Sequence, residues 1–447
     1  MRQTVYRVLD LLCAVIVSVP IGTNLGLLHL LWMLVSGRLL ETRGAVLPGL
    51  STLGLPAAAV RRAWAALGQG DWTAAELLER WGAVVEQEGR WQAQVHAGYR
   101  PVAVDVTGFW RPRLRDCPTV HYDGRAGTAL PAIPLGIVAR VGRVGGQRLG
   151  LPLALVRADP ADPSPAAHER ALVAAAVAVL EEQDVAVLDA GFGVRQLQEA
   201  GATRYVVRAA KNVTARRAQP PPYPGRGRPA THGALVRPLA RSYRGREIPA
   251  TPPDQVVTWQ EDDAVVRAEG WDDLVLPDAQ PGAPTFRIVA IHDARWTEPL
   301  VLASPLAVSA RALRDLYRDR WPVEQLPLAG KQMIGAARQF VSAPETCQRL
   351  PELALLAGSV LSYAAATQPA VPTGFWDRRP RPTPGRLRRV LARAAFPTDF
   401  PLPARIRPKA SLTDHLPKGF WGQRCRPKVD TAPAASPDQS ETSTQAA

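Results

Sequence analysis

The sequence predicts a mixed α/β chain that opens with an all-helical region. Three observations predict it. Residues 1–98 place Trp64, Leu67, Trp72, Leu77, Leu78, Trp81 and Val84 at helical spacing. Residues 99–210 alternate short apolar runs with one Ala-rich helical stretch. Two of those runs, 102–106 and 185–188, deliver Asp105 and Asp189 into Gly-containing turns.

The N-terminal run 11–37 carries no Asp, Glu, Lys or Arg. It is long enough to span a bilayer. Pro20, Gly22, Thr23, Asn24, Gly26 and His29 interrupt it, so two short apolar helices joined at 20–24 are expected instead of a membrane span. A signal peptide is disfavoured, because 48–95 continues in helical style without a small-residue cleavage site. A helix start is expected at 71–73.

In the next region, 134–141 and 148–156 flank Gly145-Gly146, a hairpin signal. Residues 164–182 read as a helix with Ser164 as N-cap. The fully apolar 185–188 reads as a central strand. From 211 to 303 the texture changes. Arginines sit among prolines and glycines, Pro220-Pro221-Pro222 is extended chain, and strand-like runs follow at 256–259, 264–268 and 285–292. A long apolar helix is expected over 350–366. Proline and arginine dominate from 368, and the polar 429–447 has the composition of disorder.

The formal net charge is +14, with 54 basic against 40 acidic residues, and the pI is about 10.3. That balance points to a polyanionic partner. A GC-rich gene accounts for arginine over lysine but not for the excess of base over acid. Arg226 and Arg228, in the basic stretch 216–246, read as non-specific phosphate contacts. Cys13, Cys117, Cys347 and Cys425 form no C-x2-C pair, which excludes a zinc ribbon and a disulfide framework and favours the cytoplasm. The seven histidines show no ligand spacing.

Tyr317, Arg320, Glu324 and Lys331 carry four unlike chemistries within 316–331. Their steps are 320 − 317 = 3, 324 − 320 = 4 and 331 − 324 = 7. At about 100° per residue they fall within about 60° of one another on an unbroken helix. A stripe of phenol, guanidinium, carboxylate and ammonium is a poor core face and a good surface for a metal ion and a phosphate. Pro322, Pro327 and Gly330 point to a kink in that helix.

This spacing, Y-x2-R-x3-E-x6-K, resembles the signature of bacterial insertion-sequence transposases with an Asp-Asp-Glu (DDE) active site. Residues 102–108 resemble that family's strand with the first aspartate, 185–193 the strand with the second, and 205–208 the strand that follows. The resemblance covers roughly 101–366, with the three acidic segments in the expected order. It implies an RNase H-like core in two parts, 99–210 and 304–366. A β-rich insertion domain at 211–303 resolves the separation of Asp189 from Glu324, 324 − 189 = 135 residues, too long for an ordinary connection. It also implies that 1–98 binds the transposon ends, ahead of a basic Pro/Arg-rich region at 367–447.

The resemblance further implies catalysis by Asp105, Asp189 and Glu324, a homodimer in the complex that joins two ends, and DNA, both transposon ends and target, as partner. The protein is expected in the cytoplasm at the nucleoid, with no membrane partner. Phosphodiester cleavage needs charge stabilised on attacking and leaving oxygens, which two divalent ions provide. Two Mg²⁺, with Mn²⁺ able to substitute, are expected on these carboxylates, Asp105 bridging and Asp189 and Glu324 each completing one site. Arg320 and Lys331 are expected on flanking phosphates and Tyr317 against the DNA.

Blander readings compete. An aspartate after a strand is commonly a turn former, and Asp123, Asp184 and Asp293 are decoys of that kind. Arg320 and Glu324 at i,i+4 make an ordinary surface ion pair worth a few tenths of a kcal/mol. The rival functions are a degenerate copy that only binds DNA, a hydrolytic nuclease without strand transfer, and a membrane-associated protein using 11–37.

Overall fold

The computed structural model describes residues 2–409 except 224 and 228. Six helices come first: α1 (Arg2–Ile16), α2 (Thr23–Val35), α3 (Arg38–Glu41), α4 (Val46–Ser51), α5 (Ala57–Gln69) and α6 (Ala74–Glu88). The uncharged run divides where expected, since α1 ends at Ile16 and α2 begins after Gly22. Thr73 and Glu76 form a reciprocal capping box that starts α6.

The chain then enters a large mixed sheet through β1 (Trp91–Ala93), β2 (Arg100–Trp110), β3 (Val120–Asp123), β4 (Thr128–Val144) and β5 (Gln147–Arg157). The β4–β5 turn is Gly145-Gly146, and Gly145 takes φ +56°. Helix α7 (Pro165–Val179) follows, capped by the Ser164 hydroxyl, which accepts from the Ala167 N–H. Next come β6 (Asp184–Leu188), buried at every position, α8 (Val194–Glu199) and β7 (Tyr205–Arg208). The central order is β5–β4–β2–β6–β7. Strands β2, β6 and β7 are mutually parallel, and β4 is antiparallel to both β2 and β5.

Eight strands fill the region expected to be β-rich: β8 (Ala215–Arg217), β9 (Leu235–Val236), β10 (Arg241–Tyr243), β11 (Arg246–Ile248), β12 (Gln255–Glu261), β13 (Ala264–Val275), β14 (Phe286–Asp293) and β15 (Leu300–Ser304). Most of them continue the central sheet. β15 pairs with β7, β14 with β15, and β13 with β14, β12 and β8. Among the described residues, β10 and β11 alone form a separate two-stranded sheet.

Residue alternation on β2 assigns the two faces of the sheet. Val102 and Val104 face α7, where Leu172, Val173 and Ala176 cover them. Ala103 and Phe109 face the other side. There they share one core with α1, α2, α6 and two later helices, α11 (Pro344–Thr367) and α12 (Pro384–Ala392). The N-terminal helices therefore bury their apolar faces against the sheet and α11. Helix α9 (Ala310–Arg318) covers the neighbouring strands through Leu313, Leu316 and Tyr317 against Val185, Val187 and Val206. The unit runs to Pro408. Residues 429–447 lie outside the described residues.

Among the described residues, α11 is the one helix long and apolar enough to cross a bilayer, and 89% of its most apolar window is buried inside the fold. It is a core helix, and its close packing explains a glycine in the signature stretch. A Cβ on Gly330 would lie 3.0 Å from the Ala354 carbonyl oxygen, and one on Gly358 would lie 3.0 Å from the Gly330 nitrogen. Gly330→Val is expected to cost about 1–3 kcal/mol through overpacking. A lowered urea midpoint at unchanged m-value checks this, and an unchanged midpoint would show that α11 yields at no cost.

Candidate active site

Asp105 and Asp189 meet because of strand register. Val104 of β2 pairs with Leu188 of β6, and each aspartate is the next residue. The two strands are parallel and about 4.8 Å apart, so the carboxylates emerge side by side, Asp189 just past the end of β6 and Asp105 midway along the longer β2. Asp189 thus sits at a strand's carboxyl end, where ligands bind in open α/β sheets.

The third carboxylate arrives from a segment that differs from expectation. The single helix expected over 316–331 does not form. Helix α9 stops at Arg318, a 3-10 turn spans Trp321–Glu324, α10 (Gln325–Leu328) follows, and a π turn spans Ala329–Met333. Pro322 and Pro327 are the reason, since neither can donate to a preceding carbonyl. Tighter i→i−3 bonds, such as Arg320 N–H to the Tyr317 carbonyl and Val323 N–H to the Arg320 carbonyl, replace α-helical ones. Later the Ile334 N–H reaches back five residues to Ala329. The 3-10 turn overwinds and the π turn underwinds, so the four side chains still reach one place.

Arg320 is the hub. Its side chain is 6% exposed, and Nη2 lies 2.7 Å from Glu324 Oε1 and 3.6 Å from Asp189 Oδ2. Its guanidinium also sits 5.5 Å from the Trp321 ring centroid and 6.0 Å from that of Tyr317. The Tyr317 hydroxyl donates to Asp189 Oδ1 at 3.0 Å. Burial, and then the Asp189 charge, push the Tyr317 phenol up to about 12. Lys331 donates to Thr107 Oγ1 at 2.6 Å and lies 5.0 Å from the Phe109 ring centroid. Burial lowers its pKa to about 8, against the opposing pull of Asp105.

Burial raises the Asp105 carboxyl to about 6, and the charges of Glu324 and Asp189 add to the rise while Arg320 opposes it. A raised carboxyl pKa means that the folded state holds a proton the unfolded chain has released. Stability from Asp105 is therefore present below about pH 4 and lost as pH rises toward about 6. In the metal-free protein, Asp105→Asn is expected to remove that contribution to the pH dependence, leaving the variant more stable than wild type above pH 6. Urea unfolding at pH 4 and pH 7 measures it.

The expected site residues Asp105, Asp189, Glu324, Tyr317, Arg320 and Lys331 are thus gathered. Arg226 stands apart on an exposed turn between Gly225 and Gly227, and Arg228 lies outside the described residues. The three decoys have structural roles. Asp123 caps a turn by accepting from the Arg125 and Ala126 N–H groups. Asp184 is fully buried between Arg100 and Arg140. Asp293 pairs with Arg295 and Arg314.

Sequence reasoning missed several neighbours. Arg208 Nη1 lies 3.8 Å from Asp189. Beside it opens a cavity of about 570 Å³ lined by Arg148, Arg208, Arg295, Trp296 and Trp321 among others. Trp296 is 70% exposed and Trp321 57%. Trp321 stood inside the signature stretch and was legible as an exposed aromatic beside Arg320. Trp296 lies in a loop, and only the β14–β15 hairpin brings it near.

Among the described residues, no three His, Cys, Asp or Glu side chains converge tightly enough to hold a metal by themselves. Arg320 stands between Asp189 and Glu324. No family model matches the chain, and no curated protein matches it.

Proposed function

We propose that this protein is a DNA transposase of the DDE kind, which cuts phosphodiester bonds at the ends of an insertion sequence and joins the freed ends to target DNA. One observation carries the reading: Asp105, Asp189 and Glu324, from three separate elements, converge round Arg320 where β6 ends beside the middle of β2. The strand order β5–β4–β2–β6–β7 supports an RNase H-like core. Strands β8 to β15, which fall between β7 and α9, support a β-rich insertion.

Asp105, Asp189 and Glu324 would hold two divalent cations, Mg²⁺ with Mn²⁺ as substitute, with water and substrate phosphate supplying the ligands these side chains do not. Mg²⁺ prefers one or two carboxylates plus water and substrate phosphate over a closed protein cage. Burial first, and then the charges of Glu324 and Asp189, raise the Asp105 carboxyl, and a bound cation would favour its ionised form. When bound, such ions stabilise charge on the attacking and leaving oxygens.

The chain's own residues bind and orient. Arg320 offers a guanidinium fork to a phosphate beside Glu324, Lys331 a point charge on the far side of Asp105, and Tyr317 holds Asp189 in place. Water attacks the phosphodiester and a P–O bond breaks, freeing a 3′-hydroxyl. That hydroxyl then attacks target DNA, one P–O bond forming as another breaks. A homodimer at the nucleoid, with one copy for each end, completes the reading.

A second reading, DNA binding without cleavage, is favoured by the Arg320–Glu324 ion pair, which already neutralises charge at the site. Incubating the protein with a supercoiled plasmid that carries the element's own ends separates the two. Nicking at the ends that needs Mg²⁺ or Mn²⁺ and stops with chelator supports the transposase. Binding without nicking supports the second reading. Nicks that are never joined to target DNA identify a hydrolytic nuclease.

A further inference from the structure

A second cavity, of about 620 Å³, opens beyond the end of β2. Trp110, Arg111 and Arg113 form one wall, and Arg338, Gln339 and Phe340 form the other. The walls are built. Arg111 is 5% exposed and donates to Gln339 Oε1 at 3.3 Å and to the Val341 carbonyl, which ties the facing segment to β2. The Phe340 N–H donates to the Gly44 carbonyl at 3.2 Å. A Cβ on Gly44 would lie 2.3 Å from the Arg338 carbonyl oxygen, so the segment also presses on the N-terminal helices. Phe340 is nevertheless 57% exposed, Arg113 and Arg338 are exposed, and among the described residues no acidic side chain lines the cavity.

The cavity lies along β2 from the carboxylate site. Asp105, Thr107 and Phe109 alternate onto one face of β2, Arg111 follows the strand's last residue, and Lys331 spans Thr107 and Phe109. Arg111 is 111 − 105 = 6 residues past Asp105, about 20 Å at 3.4 Å per residue. That is about six nucleotides of stacked strand. The Trp296–Trp321 cavity adjoins Asp189 from the direction of β7 and β14. One arginine- and aromatic-lined cavity thus follows the end of β2, and another adjoins Asp189.

We propose that the Trp110–Phe340 cavity binds DNA, taking the strand where it runs on past the scissile phosphate, away from Trp296 and Trp321. A base stacks on Phe340, and Arg113 and Arg338 hold phosphates. An exposed aromatic among unopposed arginines is the chemistry of single-strand binding. The proposal rests on the transposase reading for the direction of the strand, and its test needs no cleavage.

The test is fluorescence anisotropy of a labelled 20-nucleotide oligo(dT) in chelator, over a range of salt. Phe340→Ala is expected to weaken binding about tenfold, and Phe340→Trp to preserve it. Arg113→Glu with Arg338→Glu is expected to weaken binding further and to flatten the salt slope by about two phosphate contacts. The measurement is made without metal or cleavage, so failed cleavage chemistry leaves this result standing. An oligonucleotide with 5-iodouracil is expected to crosslink wild-type protein at Trp110 or Phe340, a readout independent of any variant's folding. Binding unchanged within twofold in Phe340→Ala and in the charge-reversed protein, or crosslinks confined to Trp296 and Trp321, overturns the proposal. Tighter binding of the matching RNA overturns it too.

Discussion

Glu324→Ala and Asp189→Ala are each expected to lower metal-dependent nicking of DNA by about three orders of magnitude. Metal ions stabilise the transition state of such reactions by several kcal/mol, and each 1.36 kcal/mol is tenfold in rate. Losing one carboxylate removes one side of the arrangement. The two variants are expected to differ in what remains. Glu324→Ala frees Arg320 from its 2.7 Å partner, while the Tyr317 hydroxyl still holds Asp189 at 3.0 Å. Asp189→Ala takes away the partner of that hydroxyl and a 3.6 Å partner of Arg320, and leaves the Glu324 ion pair. DNA affinity in chelator is expected to stay within about threefold of wild type in both, since removing a carboxylate from a basic surface does not weaken phosphate binding. Rates from a gel-based nicking assay, with binding measured on the same preparations, give the answer. Nicking that persists in both variants would show that these carboxylates do not carry the reaction.

The second large effect concerns the element that carries Tyr317. Arg314 of α9 is buried and pairs with Asp293 of β14 and Glu261 of β12. Arg295 lies 2.8 Å from Asp293, and Arg318 2.7 Å from Glu261. Side-chain hydrogen bonding from Arg295, with the Arg314 charge beside it, holds the Asp293 carboxyl down at about 2. Arg314→Met puts an apolar side chain against Asp293 and Glu261 and leaves them only Arg295 and Arg318 at the network's exposed side. Removing one partner of a buried ion pair costs about 3–5 kcal/mol, and that loss is expected here as a lowered urea midpoint. Arg318→Met, whose charge is half exposed, is expected to cost about 1 kcal/mol or less. Adding Asp293→Asn to Arg314→Met is expected to recover part of the loss, because the double change removes charge on both sides. Equal midpoints for Arg314→Met and Arg318→Met would mean that the network does not hold α9 on the sheet.

Apolar patterning alone determined much of this protein. The strands round Val102–Val106 and Val185–Leu188, the Gly145-Gly146 hairpin, the Ser164 cap and the split of the uncharged N-terminal run were all legible, because each depends on neighbours within a few residues. The candidate site residues were legible as residue types at set spacings. The path that joins them was not. A helical stripe from Tyr317 to Lys331 assumed one winding, whereas Pro322 and Pro327 impose a 3-10 turn and a π turn follows. The side chains meet because overwinding and underwinding offset each other over a segment pressed on α11. Gly330 looked like a helix breaker and is the point of closest approach to Ala354. The strands expected in a separate insertion extend the central sheet from β7, since the open edge of a buried sheet is satisfied by any strand of suitable register. Placing Arg320 between Asp189 and Glu324, and Trp296 beside Arg208, needed β6, β7, β14 and the 3-10 turn assembled together. Contacts between residues far apart in the chain are set by packing, which no local pattern encodes.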